Sequence, residues 1–279
     1  MKIAIAGIAF AALTLGAAAS TTRGPDECDH RAVRTLDASA AGAELLAVAS
    51  GSGSLRVEGR DGATAVGVEA ELCASDEDLL RELDVRLERE GGRLVLETFY
   101  PDDGNRAGWR GDRYARIDLV VVVPAGMPLG IDDGSGSIDV SRVGTLVIHD
   151  GSGYIDAVDV RGDVRIDDGS GGVTLRGVEG GVEIADGSGP LRLEDIRGDV
   201  TIDDGSGEIH VERVQGDVDI DDGSGEVRVY EVERNVTVSD SSGSIIVRDV
   251  RGDFRVRSDG SGSIEHRNVS GLVDLPRGR

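Results

Sequence analysis

Between Ile131 and Leu275 apolar residues recur in short alternating runs, not at helical spacing. In one stretch they fall at Ile209 and Val211, then at Val214, then at Val218 and Ile220. Spacing by two places Ile209 with Val211, and Val218 with Ile220, on one face of a strand. The same phrase returns as Ile155, Val160, Val164 and Ile166, and again as Val227, Val229, Val232, Val236 and Val238. Two polar junctions separate the runs. One reads Asp-Gly-Ser-Gly and the other centres on a Gly-Asp pair such as Gly216-Asp217. Each unit therefore predicts two short strands joined by two tight turns.

The period of these units decides the fold class. The Asp that precedes each Gly/Ser-Ser-Gly turn is Asp133, Asp150, Asp168, Asp186, Asp204, Asp222, Asp240 and Asp259, with successive spacings of 17, 18, 18, 18, 18, 18 and 19. A period-2 pattern inside an 18-residue period is satisfied by an all-β parallel β-solenoid of about eight coils. Coils about 4.8 Å apart pair like residue with like residue, and eight of them make a rod roughly 40 Å long. Each coil would send about five aliphatic side chains inward. A β-sandwich of hairpins accounts for the strands but not for the recurrence of the same residue every 18.

The region before the repeats is less regular. "SGSGSLRVEG" (50–59) reads as a degenerate copy that lacks the Asp, and strands are expected at 64–72, 93–99 and 115–124. "SDEDLLREL" (75–83) predicts a short helix capped by Ser75, with Asp78 at its third position. Solenoids need atypical ends, so residues 20–130 are read as an N-terminal β cap and 131–279 as the repeat region, continuous over 36–275. Pro276 and the arginines after it are expected to guard the far edge. The first 19 residues, one Lys followed by an apolar run and Ala17-Ala18-Ala19, have the form of a signal peptide cleaved before Ser20. The apolar run is short for a membrane span. Export to the periplasm or the cell exterior is the expected localisation. In that oxidising setting the two cysteines, Cys28 and Cys73, are expected to form a disulfide.

An entry strand "IDLVVVVPAGMPLGIDDGSGSIDV" followed by repeated Gly-Ser-Gly-x-Ile-x-Val units resembles the bacterial "putative adhesin" β-strand-repeat family, a domain of unknown function. The resemblance covers roughly residues 36–275. It implies an exported envelope protein and supplies no catalytic residues to carry over.

Charge and chemistry narrow the function. The net charge is −23, with 53 acidic against 30 basic residues. Nucleic acid is thereby disfavoured as a partner. Only 3% of residues are aromatic, which argues against an aromatic-lined pocket and a small-molecule substrate. Each repeated Asp can accept a bond from a backbone N–H two residues on. The rival reading is a calcium ladder along Asp133, Asp150, Asp168, Asp186, Asp204, Asp222, Asp240 and Asp259. Calcium β-rolls place Asp after the glycines, whereas here it precedes them. Carboxylates stacked 4.8 Å apart repel by roughly 0.9 kcal/mol in water and about 3.5 at an effective dielectric near 20. The second figure would demand a cation or a raised pKa.

Paired carboxylates also suggest glycosidase or lyase chemistry, but acid–base work needs two different environments. A motif copied eight times offers one environment eight times. His30, His149, His210 and His266 are scattered, and three of the four Arg-Gly-Asp tripeptides fall on the second solenoid turn. The expectation is a non-enzymatic, cofactor-free interaction scaffold of the cell envelope. It would bind an envelope or cell-surface partner through outward residues such as Arg192, His210, Arg228 and Tyr230. The alternatives are a carbohydrate-active β-helix enzyme and a calcium-stabilised repeat protein.

Overall fold

The computed structural model describes residues 28–101 and 113–276. The expected signal peptide and the cleavage point expected before Ser20, Trp109, Arg110-Gly111-Asp112 and the last arginines lie outside the described residues. The alternating runs form strands throughout. The first half contains β1 (His30–Ser39), β2 (Leu45–Ala49), β3 (Leu55–Arg60), β4 (Ala65–Ala74), α1 (Glu77–Glu82), β5 (Asp84–Glu90), β6 (Arg93–Phe99) and β7 (Ala115–Pro124). Then come β8 (Leu129–Asp133) with β9 (Gly136–Ser141), β10 (Leu146–Asp150) with β11 (Gly153–Val160), β12 (Val164–Asp168) with β13 (Gly171–Val178), and β14 (Val182–Asp186) with β15 (Leu191–Ile196). The last coils are β16 (Val200–Asp204) with β17 (Gly207–Val214), β18 (Val218–Asp222) with β19 (Gly225–Val232), β20 (Val236–Asp240) with β21 (Gly243–Val250), β22 (Phe254–Asp259) with β23 (Ile264–Val269), and finally β24 (Val273–Asp274).

These strands make two 12-stranded sheets facing one another. In the repeat region every neighbour is parallel and one coil away, so Ile184, Ile202 and Ile220 stack in register, as do Leu193, Val211 and Val229. The solenoid is thus as the periodicity predicts, including five inward aliphatics per coil. Ile209, Val211, Val214, Val218 and Ile220 are all essentially fully buried. The step of three from Val211 to Val214 breaks strand parity, and backbone conformation accommodates it. The residue before the third aliphatic is left-handed in successive coils: Arg142, Asp159, Gly177, Asp195, Arg213, Glu231, Asp249 and Asn268 all have φ between 56° and 72°. That turn swings the next Val or Ile back into the core. The 19-residue copy has its cause in a bulge between β20 and β22, where Ser239 pairs with Ser258 and Arg257 is the extra residue.

The N-terminal cap is built out of sequence order. Strands β2 and β3 form a coil, confirming the degenerate copy at 50–59, but they lie between β6/β7 and β8/β9. The outermost strands, β4 with β1 and β5, run antiparallel to their neighbours. Strand β1 escapes sequence reading because Arg34 occupies one of its inward positions. Arg34 reaches across to the Asp84 carboxylate and donates to the Leu83 carbonyl, while Arg89 donates to the Ser39 carbonyl at 2.5 Å. These contacts strap the two sheets together over the end of the rod.

The helix is shifted by one residue from its expected cap. Asp76, not Ser75, is the N-cap, and its Oδ1 accepts from the Leu79 N–H at 2.8 Å. Ser75 cannot serve, because its own N–H still donates to the Tyr114 carbonyl as an extension of the sheet. Cys28 and Cys73 are disulfide-bonded across 45 residues of chain, as expected. Replacing Cys28 with Ala should cost about 2–4 kcal/mol, read as a lower melting temperature that the wild type reproduces only in reductant.

Candidate functional site

The repeated corner carries the densest chemistry in the molecule. In the six coils from Asp150 to Asp240 the Asp ends the strand and its Oδ1 accepts the N–H of the Ser two residues on, at 3.2 Å for Asp150 and Ser152, 3.1 Å for Asp186 and Ser188, and 3.0 Å for Asp222 and Ser224. The corner is therefore an Asx-type turn stacked on itself. Its carboxylates do not face solvent. Asp133, Asp150, Asp168, Asp186, Asp204, Asp222 and Asp240 are each at most 7% exposed, and the Oδ2 atom of each is buried without a hydrogen-bond partner.

An orphaned buried oxygen beside like charges favours the neutral acid. Burial, then the neighbouring carboxylates of Asp204 and Asp240, pushes Asp222 up to about 7. Burial with Asp133 and Asp168 raises Asp150 to about 6. Asp186 reaches about 6, chiefly through burial, against the opposing bond from Ser188. Asp133, Asp168, Asp204 and Asp240 are also raised, by burial first.

Among the described residues no group of three or more His, Cys, Asp or Glu side chains is placed to hold a metal ion. The inward-facing column presents one buried, unpartnered Oδ2 in each coil from Asp133 to Asp240. At its N-terminal end the Asp is missing, and Tyr100 takes over. Its hydroxyl donates to the Ser52 carbonyl at 2.5 Å and accepts the Ser52 N–H at 3.1 Å, with its ring against Gly51.

The second corner contains the Arg-Gly-Asp tripeptides at 161–163, 197–199 and 251–253. Glycine is favoured as the middle residue, because a Cβ at Gly198 would lie 2.5 Å from the Gly180 carbonyl carbon of the coil below, although Arg234 fills the same place in one coil. The Asp binds the coil above. Asp163 Oδ1 accepts the Gly181 N–H, Asp199 Oδ1 the Asp217 N–H and Asp253 Oδ1 the Leu272 N–H, at 2.8–2.9 Å. These tripeptides are parts of an inter-coil ladder, not displayed ligands. Asp199→Ala should lower stability by roughly 1 kcal/mol, checked by chemical denaturation, with the melting cooperativity retained.

The outward face of the sheet containing β11 to β21 is a second candidate. Arg192 donates to Glu194 at 2.6 Å, and Arg213 pairs with Asp195 at 2.6 Å and with Glu194 at 3.2 Å. Arg228 bridges Glu208 and Glu226. His210 contacts Glu212 at 3.2 Å and meets the Tyr230 ring edge-on at 5.4 Å, while the Arg248 guanidinium lies 5.7 Å from that ring. Arg192, His210 and Tyr230 therefore belong to one cross-coil network, joined through Glu194, Arg213 and Glu212, while Arg228 makes a separate bridge beside it. Sequence reading missed Tyr154, which is 70% exposed and lies over Gly172 beside Pro190. The signal was present: Gly172 and Pro190 are the copies that break the column.

The other histidines stay apart. His149 is 3.8 Å from Asp167 on the opposite sheet, and His266 sits at a core-parity position of the last coil, exposed. A groove of about 670 Å³ along the second corner is lined by Arg161, Glu179, Arg197, Arg213 and Glu233 among others. Its charges largely neutralise one another, with Arg197 3.4 Å from Glu179 and Arg251 closing on Glu233. No nucleophile faces a base in it.

Residues 44–274 match the model of one family. The chain belongs to the Toastrack DUF4097 family. No curated protein matches it. Among solved structures, the chain is similar to a "putative adhesin" from Parabacteroides distasonis at 13% identity, covering 84% of this chain and 97% of that one with a TM-score of 0.54. A "putative lipid binding protein" from the same species aligns at 13% identity over 88% and 97% of the two chains, TM-score 0.49. A "putative adhesin" from Parabacteroides merdae aligns at 13% identity over 88% and 96%, TM-score 0.45. At these identities the likeness is one of fold. No described helix is long and apolar enough to cross a membrane.

Proposed function

We propose that this Toastrack protein is an exported, non-enzymatic scaffold of the cell envelope that binds a partner through the outward face of its solenoid. The observation that carries this reading is the cross-coil network of Arg192, His210 and Tyr230, with the Arg228 bridge beside it, held on parallel strands in register. A rigid strand array presents such side chains without an ordering cost. The chemistry of the corners supports the absence of catalysis, since the repeated carboxylates share one buried environment and acid–base work needs two. The surplus of acidic residues favours a partner that carries positive charge. The adhesin names of the structural neighbours agree with a surface role.

Two measurements test the proposal. Fractionation and mass spectrometry should find the protein outside the cytoplasm, with its N-terminus at Ser20. Affinity capture from the organism's own envelope should recover a partner with and without chelator, and the variant Arg228→Ser/Tyr230→Ser should lose it. Retention by that variant, or capture that depends on calcium, would overturn the assignment of the face or of the mode.

A further inference from the structure

The two ends of the rod differ. At the N-terminal end antiparallel β1 and β5 close the sheets, and Arg34 and Arg89 strap them together. At the other end the described stack stops at β23 and β24, each paired on one side only. The inward row of this last coil is Ile264, His266, Val269, Val273 and Leu275, and none of the five is fully covered. Val273 is 39% exposed and Leu272, beside it, 76%. The equivalent row in inner coils is sealed.

Charge changes at the same place. Residues 131–242 hold nine Arg against 27 Asp and Glu, a net −18, whereas residues 243–279 hold seven Arg against five Asp and Glu, a net +2. The acidic flanks of two rods would repel strongly, and their C-terminal ends far less. Glu265 and Arg267 flank His266 on the edge strand, and neither makes an ion pair with any described residue.

We infer that two copies of this chain join tail to tail through the C-terminal coil, with β23 meeting its copy antiparallel about a twofold axis. A register centred on His266 sets Glu265 opposite Arg267 of the partner subunit, twice, and lets the uncovered apolar rows face one another. A twofold axis normal to the sheets reverses strand direction while keeping each sheet on its own side, so both sheets continue across the junction. Head-to-tail stacking is excluded by the strapped N-terminal end, and the assembly closes as a dimer.

Sedimentation velocity of the purified protein from roughly 1 µM to 1 mM, the span in which interfaces below about 1,200 Å² operate, reads the association. The expected result is a mass that rises with concentration to twice the monomer and no further. Arg267→Glu should leave a monomer, and the exchange Glu265→Arg/Arg267→Glu should restore the dimer. Leu272→Glu, at a side chain already in solvent, should also give a monomer with an unchanged melting temperature. A wild type that stays monomeric throughout, a dimer indifferent to Arg267→Glu and Leu272→Glu, an exchange variant that does not recover, or growth into filaments would each overturn the inference.

Discussion

The protein is expected to melt at a higher temperature at pH 5 than at pH 8, and Asp222→Asn is expected to remove a measurable part of that difference. The sign follows from the buried corner carboxylates. Asp150, Asp186 and Asp222 have folded-state values of about 6, 6 and 7, against an unfolded value near 3.9. Between pH 4 and 7 the native chain therefore holds protons that the unfolded chain releases, and stability falls as pH rises through that window. A shift of about three units at Asp222 corresponds to on the order of 3–4 kcal/mol, or roughly 10 °C for a chain of this size.

Carboxylates whose values are lowered work in the other direction. Asp76, with its Leu79 N–H bond, Asp195, beside Arg213, and Asp118, with Ser54 and Arg116, stabilise the fold above pH 4 and lose that effect below it. They leave the window from 4 to 7 to the corner column. Asparagine at 222 retains an oxygen for the Ser224 N–H but carries no charge at any pH, so its melting curve should be flatter between pH 5 and 8. A general relief of net repulsion at low pH would leave wild type and variant parallel, which separates the two causes. Calcium at several millimolar should leave the melting temperature unchanged, because the orphan Oδ2 atoms are sealed from solvent. A calcium-induced rise would show that the column holds ions after all.

Gly189→Ala is expected to be among the most damaging single substitutions in the chain. An added Cβ would lie 1.4 Å from the Gly171 carbonyl oxygen of the coil below, and φ at this residue is +144°. Neither backbone can retreat, because each is hydrogen-bonded to the next: the Gly189 N–H donates to the Ser206 carbonyl and the Gly171 N–H to the Ser188 carbonyl. The corner must open, at a cost expected to exceed about 4 kcal/mol and to lower the melting temperature by more than roughly 10 °C. Gly42→Ala is the control. It has φ of +72° with nothing within 4 Å of the new Cβ, so it should cost only about 1 kcal/mol of backbone strain. If the two variants melt together, steric stacking of corners is not what requires glycine there.

Much of the site was readable before any coordinates. The alternation identified the inward aliphatics residue by residue, and the Asp before Gly-Ser-Gly was recognised as a turn former that binds the N–H two residues on. Its second oxygen was not foreseen. A turn residue at the end of a strand can aim inward or outward without disturbing the period, so only the curvature of the whole coil decides its burial. Strand β1 was hidden by Arg34, a charge at an inward position whose partner, Asp84, lies 50 residues away. The helix cap moved from Ser75 to Asp76 because a sheet bond to Tyr114, 39 residues on, held Ser75 extended. Each miss has the same origin, a contact between segments distant in sequence.

The sequence by itself determined the 18-residue coil, the parity of its core, the two corner types and the pairing of Cys28 with Cys73, because these depend on spacing and on a count. The tertiary structure alone decided three further things. It turned the corner carboxylates inward, it threaded the coil of β2 and β3 between later strands, and it closed the N-terminal end of the rod with antiparallel strands. Local periodicity repeats identically in every coil and so cannot encode order, sidedness or termination. Those properties arise only when the coils stack and each residue meets its neighbours above and below.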